Sequence, residues 1–140
     1  MEPKTKDITK SVIKKHQHLS KNSKIINTIV NAIQEKNGDR IISLDLRKIE
    51  ESVADFFIIC DTQTQIELRT IASFVEEEVW EHCGEKPFHK ELGDYWTLID
   101  YVNVVVHVFI KSERKFYDLE GLWMDAPFQE YEAIGKKSKK

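Results

Sequence analysis

YWTLIDYVNVVVHVF, residues 95–109, is the most apolar stretch of the chain, and its reading decides how everything else is arranged. It divides into two β-rich runs, YWTLID and NVVVHVFI, with a turn at Tyr101–Asn103, which predicts an antiparallel hairpin. Side chains alternate along a strand, so Trp96, Leu98 and Asp100 share one face of the first run. Val105, His107 and Phe109 share one face of the second, and the pairing register decides whether the two faces coincide. Asp100, Tyr101, Asn103 and His107 are unusual company for so many apolar residues. A catalytic pair, a metal site, a protein-binding edge and a hydrogen-bonded core are the four readings to separate.

Upstream, NSKIINTIVNAIQEKNG predicts a helix capped by Asn22 or Ser23, with Ile25, Ile29, Ala32 and Ile33 on one stripe and Gly38 as the left-handed residue that ends it. RIISLDL (40–46) and DFFIIC (55–60) predict strands, and the continuous apolar run of the second predicts burial on both faces. Asp61 or Thr62 then caps a long helix with Leu68, Ile71, Ala72, Val75 and Val79 on its buried side. Glu76, Glu77 and Glu78 lie mostly on its solvent side, and the helix ends near Gly84, with Pro87 beyond. FHKELGD is expected as a connection. After the hairpin, Ser112 is expected to cap a helix ERKFYDLEGLW with Phe116, Leu119, Leu122 and Trp123 along one side, and MDAPFQEYEAIG to be a loosely structured end. The order helix, strand, strand, long helix, strand, strand, helix predicts an α/β or α+β fold, a single mixed sheet of about four or more strands flanked by helices. The crossover between Cys60 and Tyr95 is long enough for a parallel pair.

A chain of 140 residues with a net charge of -3 is one domain of ordinary size, and bulk electrostatics do not make it a binder of nucleic-acid polyanions. Charge is unevenly spread: seven lysines precede Ile25, and the chain closes on GKKSKK. The expected organisation is a flexible basic arm over residues 1–21, a folded domain over 22–134 and a basic disordered tail over 135–140. Cys60 and Cys83 have no CxxC spacing and read as small buried apolar residues in a reducing compartment. With no apolar run of about 18 residues and no signal-peptide pattern, the expectation is a cytoplasmic protein without a membrane partner.

Enzymatic chemistry finds little to stand on. A G-x-S-x-G turn is absent, and Cys83 has only its chain neighbour His82 beside it. His16-x-His18, and His82 with His89, lack the spacing of a stable metal site, and the glycine-rich phosphate loops are missing. The D-x-D of a two-metal nucleotidyl-transfer site is missing too, although Asp45, Asp61 and Asp100 stand near predicted sheet ends and keep a metal-dependent enzyme as the alternative. The expectation is therefore no catalytic residue, no metal and no cofactor. Aromatic content is more telling: Tyr95, Trp96, Tyr101, Phe109, Phe116, Tyr117 and Trp123 crowd together beside Asp100, Arg114 and Glu120. Phe109, Phe116 and Leu119 are assigned to the core, and the Trp and Tyr residues with flanking charges suit an interface.

WTLIDYVNVVVHVFIKSERKFYDLEGLWMDAP (96–127), with SLDL and SVADFFIIC upstream, closely resembles the signature of the ribosomal silencing factor family, RsfS or Iojap-like, over about residues 23–133. The resemblance implies a binding module rather than an enzyme, with a nucleotidyltransferase-like fold that lacks the catalytic acids. It implies a repressor that docks on the large ribosomal subunit, on the universal fourteenth large-subunit protein at the subunit-joining face. There it sterically blocks association with the small subunit and lowers translation under nutrient limitation; members can form homodimers. Matching the motif residue by residue gives Trp96, Asp100, Tyr101, His107, Tyr117, Leu119, Glu120 and Trp123 as the partner-binding candidates. Asp100 and Glu120 are expected to pair with cations of a basic ribosomal protein, and the lysine-rich arm to add a weak, salt-sensitive contact with ribosomal RNA. Two positions depart from the family pattern: Val102 stands where Gly is usual, and Asn103 where Asp is frequent. A β-branched residue disfavours positive φ, so a turn of a different type is expected there.

Overall fold

A computed structural model describes residues 19–20 and 23–133. Apart from Leu19 and Ser20, the basic arm and tail expected from the sequence lie outside the described residues. Helix α1 (Lys24–Glu35) starts at Ser23, whose hydroxyl accepts from the Ile26 amide at 3.5 Å, and it buries Ile25, Ile26, Ile29, Val30, Ala32 and Ile33. The left-handed residue after it is Asn37 (φ 64), not Gly38 as expected. Gly38 answers to packing instead, because a Cβ there would collide with the Ile33 side chain.

Strands β1 (Asp39–Asp45) and β2 (Phe56–Thr62) pair antiparallel, with Ile42 opposite Ile59 and Leu44 opposite Phe57. Helix α2 (Gln65–Cys83) follows. Its cap is Thr64, not Asp61 or Thr62, because β2 runs on through Thr62. The Thr64 hydroxyl accepts from the Glu67 amide at 3.1 Å, and Glu67 accepts back from the Thr64 amide at 3.3 Å. Leu68, Ile71, Ala72, Val75 and Val79 form its buried side, and Gly84 (φ 68) closes it.

The chain continues through β3 (His89–Glu91), β4 (Trp96–Asp100), β5 (Val104–Ile110), α3 (Lys111–Tyr117), α4 (Leu119–Leu122) and β6 (Phe128–Tyr131). The sheet is mixed and six-stranded, in the order β3-β4-β5-β2-β1-β6, with β2 and β5 parallel. The architecture is thus the expected α+β sheet flanked by helices. FHKELGD and MDAPFQEYEAIG, expected as irregular chain, contribute the two edge strands. Those strands are three and four residues long and their side chains are almost all exposed, so neither carries an apolar alternation.

The two faces of the sheet are unlike. Helices α1 and α2 cover one, where Ile29, Ile33, Leu68, Ile71 and Val75 meet Ile58, Cys60, Ile99, Val104, Val106 and Val108. The other holds a smaller cluster of Ile42, Leu44, Ile59, Phe109 and Ala126, with Phe57, Trp96, Leu119 and Trp123 only partly buried against it. The single helix expected over 113–123 is in fact two, broken at Asp118 (φ 48), whose carboxylate accepts from the Gly121 amide at 3.1 Å. Ser112 lies inside α3 rather than capping it. The break spoils the predicted stripe: Phe116, assigned to the core, is 76% exposed, and Leu122 is 73% exposed.

Candidate docking face

The register settles what alternation left open. Trp96 pairs with Phe109, Leu98 with His107 and Asp100 with Val105, so both sets of hairpin residues lie on the sheet face away from α1 and α2. Trp96 stacks on Phe109 at 4.8 Å and meets Tyr117 of α3 at 4.7 Å, while Phe57 meets the edge of Trp123 at 6.0 Å. The result is an aromatic layer with Tyr117 half exposed and Trp96 and Trp123 partly covered.

His107 is built into that layer. The Trp96 indole donates to Nδ1 at 3.1 Å, which assigns the ring proton to Nε2. Phe57 stands edge-on at 4.6 Å. Burial pushes its pKa down to about 3, so the ring is neutral. Leu119 packs partly buried against the same cluster. Glu120 is turned inward: its Oε2 accepts from Arg114 Nε at 3.0 Å and Nη2 at 2.8 Å. Asp100 sits at the rim, where Oδ1 accepts from the Val102 amide at 2.7 Å.

Tyr101 is not on this face. It follows Asp100 directly, so alternation sends it to the opposite side, where it packs 5% exposed in the helix-covered core. Burial, and then the charges of Glu76 and Glu85, push its phenol pKa up, and its hydroxyl has no partner among the described residues. Of the partner-binding candidates, Tyr101 is thus a core residue rather than part of the open face.

The turn also corrects its expectation. Val102 keeps a positive φ of 76, and the Tyr101 carbonyl accepts from the Asn103 amide at 2.9 Å, the hydrogen bond of a three-residue γ-turn. Strain of this kind costs roughly 1–3 kcal/mol and persists where neighbours over-determine it. Here Asp100 holds the Val102 amide, and the Asn103 side chain donates to Asp55 at 3.0 Å. The Asn103 carbonyl accepts from the amides of Asp55 and Phe56 at 2.9 and 3.0 Å.

Asp45, Asp61 and Asp100 do not converge. Asp45 and Asp100 lie towards the same end of the sheet but on strands three places apart, roughly 14 Å at the usual strand spacing. Asp61 is at the other end, fully buried, with Oδ2 bonded to Arg40 at 2.8 and 3.0 Å and to Arg114 at 3.2 Å. His82 and His89 are likewise separate: His82 lies on α2 with Glu78 and Glu81, and His89 contacts Glu91 on β3. Among the described residues, no helix is long and apolar enough to cross a membrane.

Beside the aromatic layer, a cavity of about 520 Å³ opens between β1, β6 and the segment around Trp123, lined by Ile42, Leu44, Trp123, Met124 and Phe128 among others. Leu122, Met124 and Phe128 are 73%, 79% and 63% exposed. Met124 and Phe128 were not singled out in the sequence. An isolated Met and a Phe after Pro carry no periodicity, and only the closing of β6 onto β1 brings them to this face.

One face of the sheet is sealed by helices, and the other presents an aromatic layer beside an open cavity. The model of the family "Ribosomal silencing factor during starvation" matches residues 19–140. A ribosomal silencing factor RsfS of Halalkalibacterium halodurans is 37% identical over 117 residues, 81% of this chain and 97% of that protein. The RsfS of Bacillus subtilis is 36% identical over 97 residues, 69% of this chain and 81% of that protein. A crystal structure of a Bacillus halodurans protein superposes with a TM-score of 0.67 at 34% identity, covering 79% of this chain and 100% of that one. The chain belongs to the ribosomal silencing factor family.

Proposed function

We propose that the open aromatic face docks on the large ribosomal subunit, on its universal fourteenth protein, and that the bound chain sterically blocks joining of the small subunit and so represses translation when nutrients are scarce. The observation that carries this reading is the asymmetry of the sheet. One face is sealed by two helices, whereas the other leaves Trp96, Tyr117 and Trp123 incompletely covered beside exposed Leu122, Met124 and Phe128. Exposed apolar area concentrated around aromatic anchors is the surface that protein interfaces use. Family membership supplies the ribosome as the partner class. In this reading the lysines of the arm add a salt-sensitive contact with ribosomal RNA. Sedimentation tests it: the protein should travel with isolated large subunits and, when added to both subunits, reduce the joined fraction. Association with small subunits alone, or with neither, refutes it.

A further inference from the structure

Helices α3 and α4 carry Tyr117, Leu119 and Trp123, or lead directly into them, yet they have little of their own to hold them in place. They are seven and four residues long, far below the length at which an isolated helix persists in water. Asp118 breaks the path between them, α4 buries no residue, and the one residue that α3 buries is Arg114. That guanidinium, 3% exposed, is bonded on three sides: to Glu120 on α4 through Nε and Nη2, to Asp61 on β2, and to the Arg40 carbonyl on β1. Asp61 is itself fixed by Arg40. Besides the packing of Tyr117, Leu119 and Trp123 against the sheet, this side chain ties both short helices to it through hydrogen bonds.

We propose that Arg114 is a positioning residue for docking: through Glu120 and Asp61 it latches α3 and α4 against the sheet, and so sets Tyr117 and Trp123 in the arrangement that a protein partner reads. Glu120 then works inside the molecule, as the acceptor that extends the latch to α4, rather than as a charge offered to the partner. The proposal rests on the docking function proposed above. Arg suits the role because its planar fork engages several acceptors in fixed directions, which a lysine ammonium does not.

The test uses the full chain with Arg114→Lys, Glu120→Ala, both together, and Glu120→Gln. Arg114→Lys keeps a cation beside buried Asp61, and Glu120 lies at the edge of the network, so these changes spare the fold. Hydrogen exchange in the free protein reads the latch directly. The amides of Asp118, Leu122 and Trp123, bonded to the carbonyls of Arg114, Asp118 and Leu119, should exchange about tenfold faster or more in the Lys and Ala variants. Those of β2 and β5 should not change. Glu120→Gln, which keeps a neutral acceptor, should recover part of the protection. Affinity for isolated large subunits should fall about tenfold in Arg114→Lys and in Glu120→Ala, and the double variant should be no weaker than the worse of these two, because two residues acting through one latch are not additive. Unchanged exchange in α3–α4 overturns the proposal, and so do fully additive losses, which make Glu120 a direct contact. Wild-type protein that ignores large subunits overturns the docking function instead, while the exchange result still decides whether the latch exists.

Discussion

Acidifying the solution reads the state of His107. In the folded chain the imidazole is 4% exposed, it accepts the Trp96 indole proton on Nδ1, and burial depresses its pKa to about 3. A second proton at Nδ1 would face the indole N–H and place a charge against Phe57. In the unfolded chain the same ring takes that proton near pH 6.5. Below pH 6.5 the unfolded state therefore binds more protons than the folded one, and stability falls as the pH falls towards 3. The stability that this group contributes is fully present above pH 6.5. About 2 kcal/mol of it should be gone at pH 5, and roughly 3 kcal/mol at pH 4, from the separation of the two pKa values. Urea unfolding at pH 7.5, 6.5, 5.5 and 5 measures the loss. His107→Gln supplies the control, since it keeps a side-chain acceptor for the indole but does not titrate. The difference between the two proteins isolates His107 from the exposed His82 and His89 and from the carboxylates. Parallel pH profiles for wild type and His107→Gln would refute the reasoning, because the folded ring would then be protonating as freely as the unfolded one.

Three further substitutions separate docking from stability. Trp123→Ala should cost about 2 kcal/mol or more in affinity for isolated large subunits, measured by sedimentation or interferometry; unchanged affinity in a folded variant puts the docking face elsewhere. Tyr101→Phe removes a buried hydroxyl that has no partner among the described residues, so it should raise unfolding free energy by about 1 kcal/mol and leave binding alone; weaker binding would return Tyr101 to the interface. Thr64→Ala breaks the capping box of α2 and should lower stability by about 1 kcal/mol in denaturant titrations, again without touching binding, since α2 covers the opposite face.

The parts of the fold legible from sequence were those with a strong period. The stripe from Leu68 to Val79 and the alternation of β4 are dictated by burial on one side, and both appear as read, while β5 is buried on both faces. What escaped was decided by tertiary pairing. His89–Glu91 and Phe128–Tyr131 are strands because β4 and β1 offer them an edge, not because their own residues alternate. The break at Asp118 escaped because residues 113–123 have helical spacing, while the Asp118 side chain stabilises its own left-handed turn against Gly121. In the docking candidates the motif collected residues of two kinds. Trp96, Tyr117 and Trp123 lie on one open face, whereas Tyr101, one position past Asp100, belongs to the other side of the sheet. One residue of alternation at a turn separates the open face from the helix-covered core, and the register of the hairpin decides it.

The polar side chains in the apolar hairpin then fall into place as fasteners. Asp100 holds the Val102 amide, Asn103 ties the turn to Asp55, and His107 receives the Trp96 indole. Asp55 in turn receives the Leu19 amide at 2.8 Å, so the same turn anchors the start of the described chain. With Glu120 bonded to Arg114, the apolar part of this face is Trp96, Tyr117, Leu122, Trp123, Met124 and Phe128, with Arg40 and Glu130 at the neighbouring cavity, and the proposed docking through the apolar part bears on how binding responds to salt. Contact through apolar surface is nearly indifferent to ionic strength, whereas ion pairs between Asp100 or Glu120 and a basic partner are screened as the Debye length shrinks from about 10 Å at 0.1 M to about 3 Å at 1 M. The arm's lysines would mask the difference, so the measurement belongs in a full chain with Lys4, Lys6, Lys10, Lys14, Lys15 and Lys21 changed to Gln. In that protein, affinity for large subunits should change by less than about threefold between 0.1 and 0.5 M salt. A steep fall there would mean that the acids, not the aromatic layer, make the principal contact.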